Sequence, residues 1–222
     1  MSIVVKPIFG MCNRLRFLFS YRKLAKKNNK QLIVIWEKTD DCPGFFLDYF
    51  EPLDGVIFKK KDKGKFEIDY VGFTIHNSYP PNYKKLKLLP FMQDIIQKKI
   101  RLLNKNYIAC HIRRTDHIEL AKQSSYYTND NDFLHFIQKE LQEPNTEQNV
   151  YIATDTKETY DKFNDFNKIK IPYHEVINGL RQTSLQDSII DLYMCVYANK
   201  FMGSHYSSFS YLIEDLRQIM HK

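Results

Sequence analysis

Two adjacent arginines follow a short apolar run in the second half of the chain. The run Tyr107–Cys110 leads directly into the segment His111–Asp116, which contains Arg113 and Arg114. A guanidinium group matches the oxygens of a phosphate in a bidentate geometry, and each charge-assisted hydrogen bond contributes about 1.5–3 kcal/mol. The pair could therefore hold a diphosphate and stabilise it as it departs. Paired arginines at a strand end are also commonly solvated or ion-paired, so surface salt bridges are the alternative.

Polar residues follow two later apolar runs in the same way. Thr154 and Asp155 end one run, and Ser207 and Ser208 come shortly after the run Phe201–Gly203. In a parallel α/β sheet the ligand lies beyond the carboxyl ends of the strands, so these residues are candidates for one site. The two serines could cap a helix, bind an anion or do both, because a capped helix end attracts anions.

The elements that would position these residues alternate along the chain. A strand at 3–5, a helix over 11–28 and strands at 32–35 and 56–58 give the first half a βαβ pattern, which breaks between 59 and 90. The second half predicts strands at 107–111, 150–154, near 169–173 and at 200–203, and helices near 91–103, 132–142, 157–164, 184–198 and 208–220. Such alternation predicts an α/β protein with parallel sheets and helices on both faces.

Composition and charge exclude several classes of protein. A hydrophobic content of 43% is enough to bury a core, and no apolar run approaches the roughly 20 residues needed to cross a bilayer. The four cysteines lack a paired spacing and the N-terminal sequence lacks a signal-peptide pattern, which together favour a cytoplasmic enzyme. Residues 1–106 hold 21 Lys and Arg against 10 Asp and Glu, whereas residues 107–222 hold 12 against 16. Without a binding motif the basic half does not indicate a nucleic-acid partner.

Four segments resemble a known family. The segment His111–Asp116 resembles the His-x-Arg-Arg-Thr-Asp motif of the α1,6-fucosyltransferases, Val150–Asp155 is similar to the second motif of that family, and Ser184–Ser210 looks like the third. Gly10–Arg16 resembles the glycine-containing loop between the first strand and the first helix of these enzymes and of the broader GDP-fucose transferase superfamily. The three motifs come in the order of the family.

This resemblance implies a fold and a reaction. The fold is expected to be GT-B-like, α/β with two Rossmann-like halves and a cleft between them, in which residues 1–90 face the acceptor and residues 91–222 bind GDP-fucose. The reaction is expected to be an inverting, metal-independent transfer of L-fucose from GDP-fucose to a glycan hydroxyl, in which arginine takes the part of a cation. The expected partners are therefore GDP-fucose and a glycan acceptor, with no cofactor.

The resemblance also implies roles for individual residues. His111 and Asp191 are expected at the guanine, whose two adjacent N–H donors a carboxylate can accept together; a surface position on a helix is the alternative for Asp191. Arg113 is expected to be catalytic through its contact with the diphosphate. The residues expected at the nucleotide are Gly10, Asn13, Arg14, His111, Arg113, Arg114, Asp116, Thr154, Asp155, Asp191, Ser207, Ser208 and Phe209.

A general base is still required to take the proton of the acceptor hydroxyl. His117 is a candidate because imidazole titrates near neutral pH, and Glu119 is one by analogy with the family. For each of them a surface position without function is the alternative. Asp130-Asn131-Asp132 has the Asp-x-Asp form of metal-dependent glycosyltransferases, but it directly precedes an amphipathic helix and is interpreted as a helix cap, so no metal site is predicted.

Two other functions fit the same residues. The nucleotide-binding residues do not contact the sugar ring, so a transferase for another GDP-sugar on the same scaffold would carry the same motifs. A non-catalytic nucleotide-binding or glycan-binding module would keep the arginines without a base, because fold and ligand site do not guarantee chemistry.

Overall fold

The chain forms two compact α/β units, Met1–Pro90 and Phe91–Lys222. The computed structural model describes residues 2–62, 75–115, 118–124, 127–142, 149–166 and 183–220. Asp116, His117 and the strand predicted near 169–173 lie outside the described residues.

The first unit is built on a three-stranded parallel sheet. Its elements are β1 (Ser2–Val5), α1 (Met11–Lys27), β2 (Gln31–Ile35), β3 (Val56–Lys59) and the short helix α2 (Ile75–Ser78), with single 3-10 turns at Phe46–Asp48 and Tyr83–Lys85. The strand order is β1-β2-β3, so β2 is the central strand. Residues 32–35 of β2 are all buried, as expected for a parallel strand that is covered on both faces. The predicted βαβ pattern is confirmed.

The second unit has a parallel sheet of its own. Its elements are α3 (Pro90–Leu102), β4 (Tyr107–Ile112), α4 (Ile118–Gln123), α5 (Asp130–Leu141), β5 (Asn149–Thr154), α6 (Lys157–Lys162), α7 (Leu185–Tyr197), β6 (Lys200–Gly203) and α8 (Ser208–Met220). The strand order is β5-β4-β6, with β4 in the centre. Every predicted strand and helix that falls within the described residues of this unit is confirmed.

Helices cover both faces of this second sheet. Alternate residues of β4 point to opposite faces, and the apolar side chains on each face pack against a helix. Ile108, Cys110 and Ile112 pack with Phe133 and Ile137 of α5 in one hydrophobic cluster. On the other face, α7 packs against β4 and β5. Helices therefore pack against β4 from both sides.

The register of the strands brings their carboxyl ends together. His111 pairs with Ala153 of β5 and with Gly203 of β6, so the three strands end close together at the same edge of the sheet. Residues that directly follow these strands must then lie side by side at one edge of the sheet.

Candidate active site

Arg113 lines a pocket at the carboxyl ends of β4 and β6. Its side chain is 19% exposed, and its Nη1 atom lies 3.6 Å from Oδ2 of Asp155. The pocket is lined by Arg113, Arg114, Ile118, Ala121, Tyr127, Thr128, Ser204, His205 and Tyr206. A guanidinium group that borders a pocket can donate charge-assisted N–H hydrogen bonds to a phosphate that enters it.

Arg114 is held by protein groups. Its Nε and Nη2 atoms donate to Oδ1 of Asp130 at 3.2 and 2.7 Å, and its Nη1 atom donates to the carbonyl oxygen of Arg113. The guanidinium carbon lies 5.5 Å from the ring centre of Tyr127 and 5.6 Å from that of Phe133. Both arginines therefore line the pocket and have a carboxylate partner. Arg114 is the less exposed of the two and has two aromatic neighbours as well.

Asp155 fixes the backbone that carries both arginines. Oδ1 of Asp155 accepts a 2.8 Å hydrogen bond from the backbone N–H of Arg114, and Oδ2 accepts a hydrogen bond from the hydroxyl of Thr115. Both Asp155 and the preceding Thr154 are buried. The carboxylate thus ties the end of β4 to the end of β5, and its expected contact with the nucleotide stays a prediction.

His111 lies under the first turn of α8. Its Nδ1 atom is 2.8 Å from Oγ of Ser210, and its ring stacks on Phe209 with 4.5 Å between centroids. Burial, together with the charges of Arg113 and Arg114, lowers the pKa of His111 to about 3. The imidazole is therefore neutral at physiological pH, and because Nδ1 is bonded to Ser210, Nε2 is the ring nitrogen that could contact a base edge.

The start of α8 has the geometry of a capped helix. The backbone N–H of Ser210 donates to Oγ of Ser207 at 3.4 Å, while Ser208 is the first helical residue. Capping by Ser207 leaves the N-terminal end of the helix able to attract an anion, so both roles predicted for the serines are compatible.

Gly203 gives α8 room to approach the sheet. A methyl group built on Gly203 would lie 2.7 Å from both Cβ and Oγ of Ser210. Glycine at this position therefore permits the close contact that places Ser210 against His111.

Asp191 is buried inside the unit. It lies on α7, where its Oδ1 atom accepts a 2.6 Å hydrogen bond from the hydroxyl of Tyr151. Burial raises the pKa of Asp191 to about 8, an effect that the Tyr151 hydrogen bond opposes. The surface position considered for this residue is wrong, because its helical turn packs against β5 and excludes water. Its contact with guanine stays a prediction.

Ser204 and His205, in the turn Ser204–Ser207, lie within the third motif but were not among the predicted site residues. The backbone N–H of Ser204 donates to the carbonyl oxygen of His111 at 2.9 Å, and Oγ of Ser204 accepts a 2.9 Å hydrogen bond from the backbone N–H of Arg113. The signal was present in the polar run that follows β6, but only the tertiary contacts show that it meets the arginine motif. His205 and Tyr206 project from this turn into the pocket.

The glycine-containing loop of the first unit is organised around a buried arginine. Gly10 is the N-cap of α1, Asn13 lies in its first turn, and Arg14 is only 1% exposed. The Arg14 guanidinium donates to the carbonyl oxygens of Phe9 and Glu37, and also to Oγ1 of Thr39. In the described conformation Arg14 therefore holds the loop together, and its expected nucleotide contact stays a prediction.

Glu119 lies on the surface of α4. Its carboxylate is 74% exposed and forms a 3.0 Å ion pair with Lys122. It does not line the pocket that contains Arg113. The arrangement matches the surface alternative for Glu119, while His117 and Asp116 fall outside the described residues.

The Asp-x-Asp segment begins a helix, as predicted, with one difference in detail. The N-cap is Asn129, whose Oδ1 accepts from the backbone of Asn131 and Asp132, and Asp132 closes a capping box by accepting from the backbone of Asn129. Asp130 instead binds Arg114 and Lys162. Burial alone would raise the pKa of Asp130, but these two cations lower it below its usual range. Within the described ranges, no three His, Cys, Asp or Glu side chains form a group that could hold a metal ion.

A larger hollow adjoins the pocket. It has a volume of about 510 Å³ and shares Tyr127 and Thr128 with the pocket. Its other lining residues are Asp132, His135, Phe136, Lys139 and Met202. His135 therefore lies near the pocket without being part of it.

Comparison with solved structures finds fucosyltransferases of the same fold. The fucosyltransferase NodZ from Bradyrhizobium has a TM-score of 0.64 at 13% sequence identity, covering 96% of this chain and 92% of that chain. POFUT1 in complex with GDP-fucose has a TM-score of 0.67 at 12% identity, covering 98% and 94%. At these identities the likeness shows the fold, and it confirms the predicted GT-B class. No curated protein sequence is significantly similar to the chain.

The α/β fold and the arginines beyond the central strand of the second sheet agree with a match to a known enzyme family. The model of the GDP-fucose protein O-fucosyltransferase family matches residues 82–220, which is more than half of the chain. The chain belongs to this family, and the predicted membership of the GDP-fucose transferase superfamily is confirmed. In the described part of the chain no helix is long and apolar enough to cross a membrane.

Proposed function

We propose that the chain transfers L-fucose from GDP-fucose to a hydroxyl group of a glycan, with inversion at the anomeric carbon and without a metal ion. In this proposal the unit Phe91–Lys222 binds the donor and the unit Met1–Pro90 faces the acceptor. The observation that carries it is the position of Arg113, which borders a pocket at the carboxyl end of β4 in a chain of the GDP-fucose protein O-fucosyltransferase family.

The donor is supported by the comparisons with related proteins. The family is named for GDP-fucose, NodZ has been crystallised with GDP, and POFUT1 has been crystallised with GDP-fucose. In this chain the neutral imidazole of His111 and the carboxyl group of Asp191 both lie on the side of the sheet that α7 and α8 cover. These two side chains offer the guanine hydrogen-bonding groups of complementary kind.

Arginine supplies the positive charge that the departing diphosphate needs. The acceptor oxygen attacks C1 of the fucose as the bond from C1 to the diphosphate breaks, and the electron pair leaves on the diphosphate. Arg113 stabilises that charge through N–H donors, which are worth most where it develops in a site shielded from water. Attack from the side opposite to the leaving group inverts C1.

Measuring GDP release tests the reaction. Wild type and Arg113→Ala are incubated with GDP-fucose or GDP-mannose in the presence of EDTA, against a panel of glycans and hydroxyl-bearing peptides. We expect turnover that depends on fucose, resists EDTA and falls at least 100-fold in Arg113→Ala. Arg101→Ala, which removes an exposed arginine of α3, serves as the matched control and should retain full activity. Turnover that EDTA abolishes would refute metal independence, and a preference for GDP-mannose would refute the donor.

GDP binding without turnover in any arm would favour the non-catalytic module. Calorimetry with GDP separates that outcome from a protein that binds no nucleotide, which would end the assignment of the site.

We also propose that the protein works in the cytoplasm. All four cysteines are buried as thiols, namely Cys12, Cys42, Cys110 and Cys195. Thiols persist in reducing compartments, whereas secreted proteins commonly form disulfides. Fractionation of the source cells followed by immunoblotting tests the location; recovery with secreted material would contradict it.

A further inference from the structure

We propose that His205 is the general base that takes the proton of the acceptor hydroxyl. This inference rests on the proposed function and names a residue for the one chemical step that Arg113 cannot perform. Its imidazole lines the same pocket as Arg113.

The lining of the pocket singles out this residue. The ionisable groups that border it within the described residues are Arg113 and Arg114 at the end of β4, Tyr127 ahead of α5, and His205 and Tyr206 on their own turn. Arginine and tyrosine side chains are protonated at neutral pH and do not accept a proton there, whereas a neutral imidazole does. His205 is thus the member of this set with the right chemistry.

The backbone around His205 is held in place by the site itself. Its backbone N–H donates to Oγ1 of Thr128 at 3.1 Å, and the preceding Ser204 is hydrogen-bonded to the backbones of His111 and Arg113. The turn that carries the imidazole is therefore fastened directly to the strand end that carries the arginine. A base and a charge stabiliser must keep a constant separation in such a reaction.

The next residue is held in an unusual conformation. Tyr206 has φ of 56°, in the left-handed region that residues other than glycine seldom adopt, and its backbone N–H donates to the hydroxyl of Tyr211 at 3.2 Å. Strained backbone of this kind is concentrated at functional sites, where surrounding contacts maintain it. Both His205 and Tyr206 are exposed and line the pocket.

The proposed step balances in atoms and charge. The acceptor oxygen forms a bond to C1, the bond from C1 to the diphosphate oxygen breaks, and the electron pair departs on the diphosphate beside Arg113. The hydroxyl proton moves to the unprotonated ring nitrogen of His205. The imidazolium then returns the proton to water.

The test compares His205→Gln with wild type and with His135→Gln, a matched change of an exposed histidine in the adjoining hollow. GDP release from GDP-fucose is measured with the acceptor panel and with water alone, and the dissociation constant of GDP-fucose is measured by calorimetry. We expect kcat of His205→Gln to fall 100- to 10,000-fold, with the donor dissociation constant changed less than twofold. His135→Gln should match wild type in both quantities.

Added imidazole distinguishes a base from a structural residue. Added imidazole should raise the activity of His205→Gln at least tenfold and leave the activity of His135→Gln unchanged. Thermal unfolding confirms that the variant is folded, and His205→Asn repeats the test with a shorter side chain. The proposal would be overturned if His205→Gln kept more than half of the wild-type activity. It would also be overturned if Glu119→Gln lost activity while imidazole restored none to His205→Gln. Absence of turnover in wild type would instead refute the proposed function on which this inference rests.

Discussion

The hydroxyl of Tyr151, in the middle of a buried strand, donates a 2.6 Å hydrogen bond to the carboxyl group of Asp191 on the helix above it. Burial raises the pKa of Asp191 to about 8, although this hydrogen bond opposes the rise. The carboxyl group of the free protein is therefore mostly protonated at pH 7. Accepting both N–H donors of a guanine requires the ionised form, so ligand binding and ionisation of Asp191 are linked.

This linkage predicts that GDP binding at pH 7 releases close to one proton. The measurement is isothermal calorimetry of GDP binding in buffers that differ in ionisation enthalpy. In wild type the observed enthalpy should vary with the buffer, and Asp191→Asn should show weaker binding with little variation. An enthalpy that is the same in every buffer would show that Asp191 does not ionise against the guanine.

The same carboxyl group should lower the free energy of unfolding of the free protein as the pH rises above 6.5. The pKa of Asp191 is higher in the folded state than in the unfolded chain, so the folded state retains a proton that the unfolded state has lost between about pH 4 and pH 8. Stability therefore falls as pH rises through this window, by at most about 1.4 kcal/mol per pH unit. Urea unfolding at pH 6.5 and pH 8 should show this loss in wild type and a smaller one in Asp191→Asn. Equal slopes would contradict the assignment.

His111 should act in the opposite direction on acidification. Its pKa is lowered to about 3 by burial and by the neighbouring arginines, so below about pH 6.5 the unfolded chain binds a proton that the folded protein does not. Stability is lost as pH falls from about 6.5 toward 3. Urea unfolding at pH 6.5 and 4.5 should show that His111→Gln loses less stability than wild type over this range. Because Asp191 opposes His111 here, the loss should be steeper in Asp191→Asn.

Gly203→Ala should destabilise the second unit. The added methyl group would lie 2.7 Å from Cβ and Oγ of Ser210, so α8 must move away from the sheet. Overpacking of this kind costs about 1–3 kcal/mol, which thermal and urea unfolding can measure. Ser210→Gly removes both crowded atoms, and the double variant should recover part of the loss. If the stability losses of Gly203→Ala and Ser210→Gly simply add in the double variant, the contact between these two residues does not limit the approach of α8.

Asp130→Asn should cost more than removal of an exposed ion pair. Asp130 neutralises Arg114, whose side chain is only 10% exposed, so the change leaves a nearly buried guanidinium without its charge partner. We expect a loss of about 1–3 kcal/mol in the free energy of unfolding. Asp161→Asn breaks the exposed pair with Lys157 and is the matched control, expected to change stability by less than about 1 kcal/mol. Similar losses in the two variants would show that Arg114 does not depend on Asp130.

Much of the fold could be predicted because its signals are local. The apolar run 32–35, the strand that precedes the arginines and the amphipathic helix after residue 130 each show their element type in a short stretch of sequence, through length, period and β-branched content. Since strands alternated with helices, the parallel sheets followed as well. The ends of those strands then indicated where polar residues would meet.

The sequence by itself thus determined the described strands, the longer helices, the family and the segment that carries Arg113, whereas the short helices α2 and α4 were not predicted. Only the tertiary structure decided which polar side chains are committed to protein partners: Arg14 is buried with three acceptors, Arg114 is paired with Asp130, and Glu119 lies in solvent. His205 became a candidate for the same reason, since its pocket is formed by loops far apart in the chain. A residue type and a spacing specify what a side chain can do, but its partners and its solvation depend on contacts that form between distant segments when the chain folds.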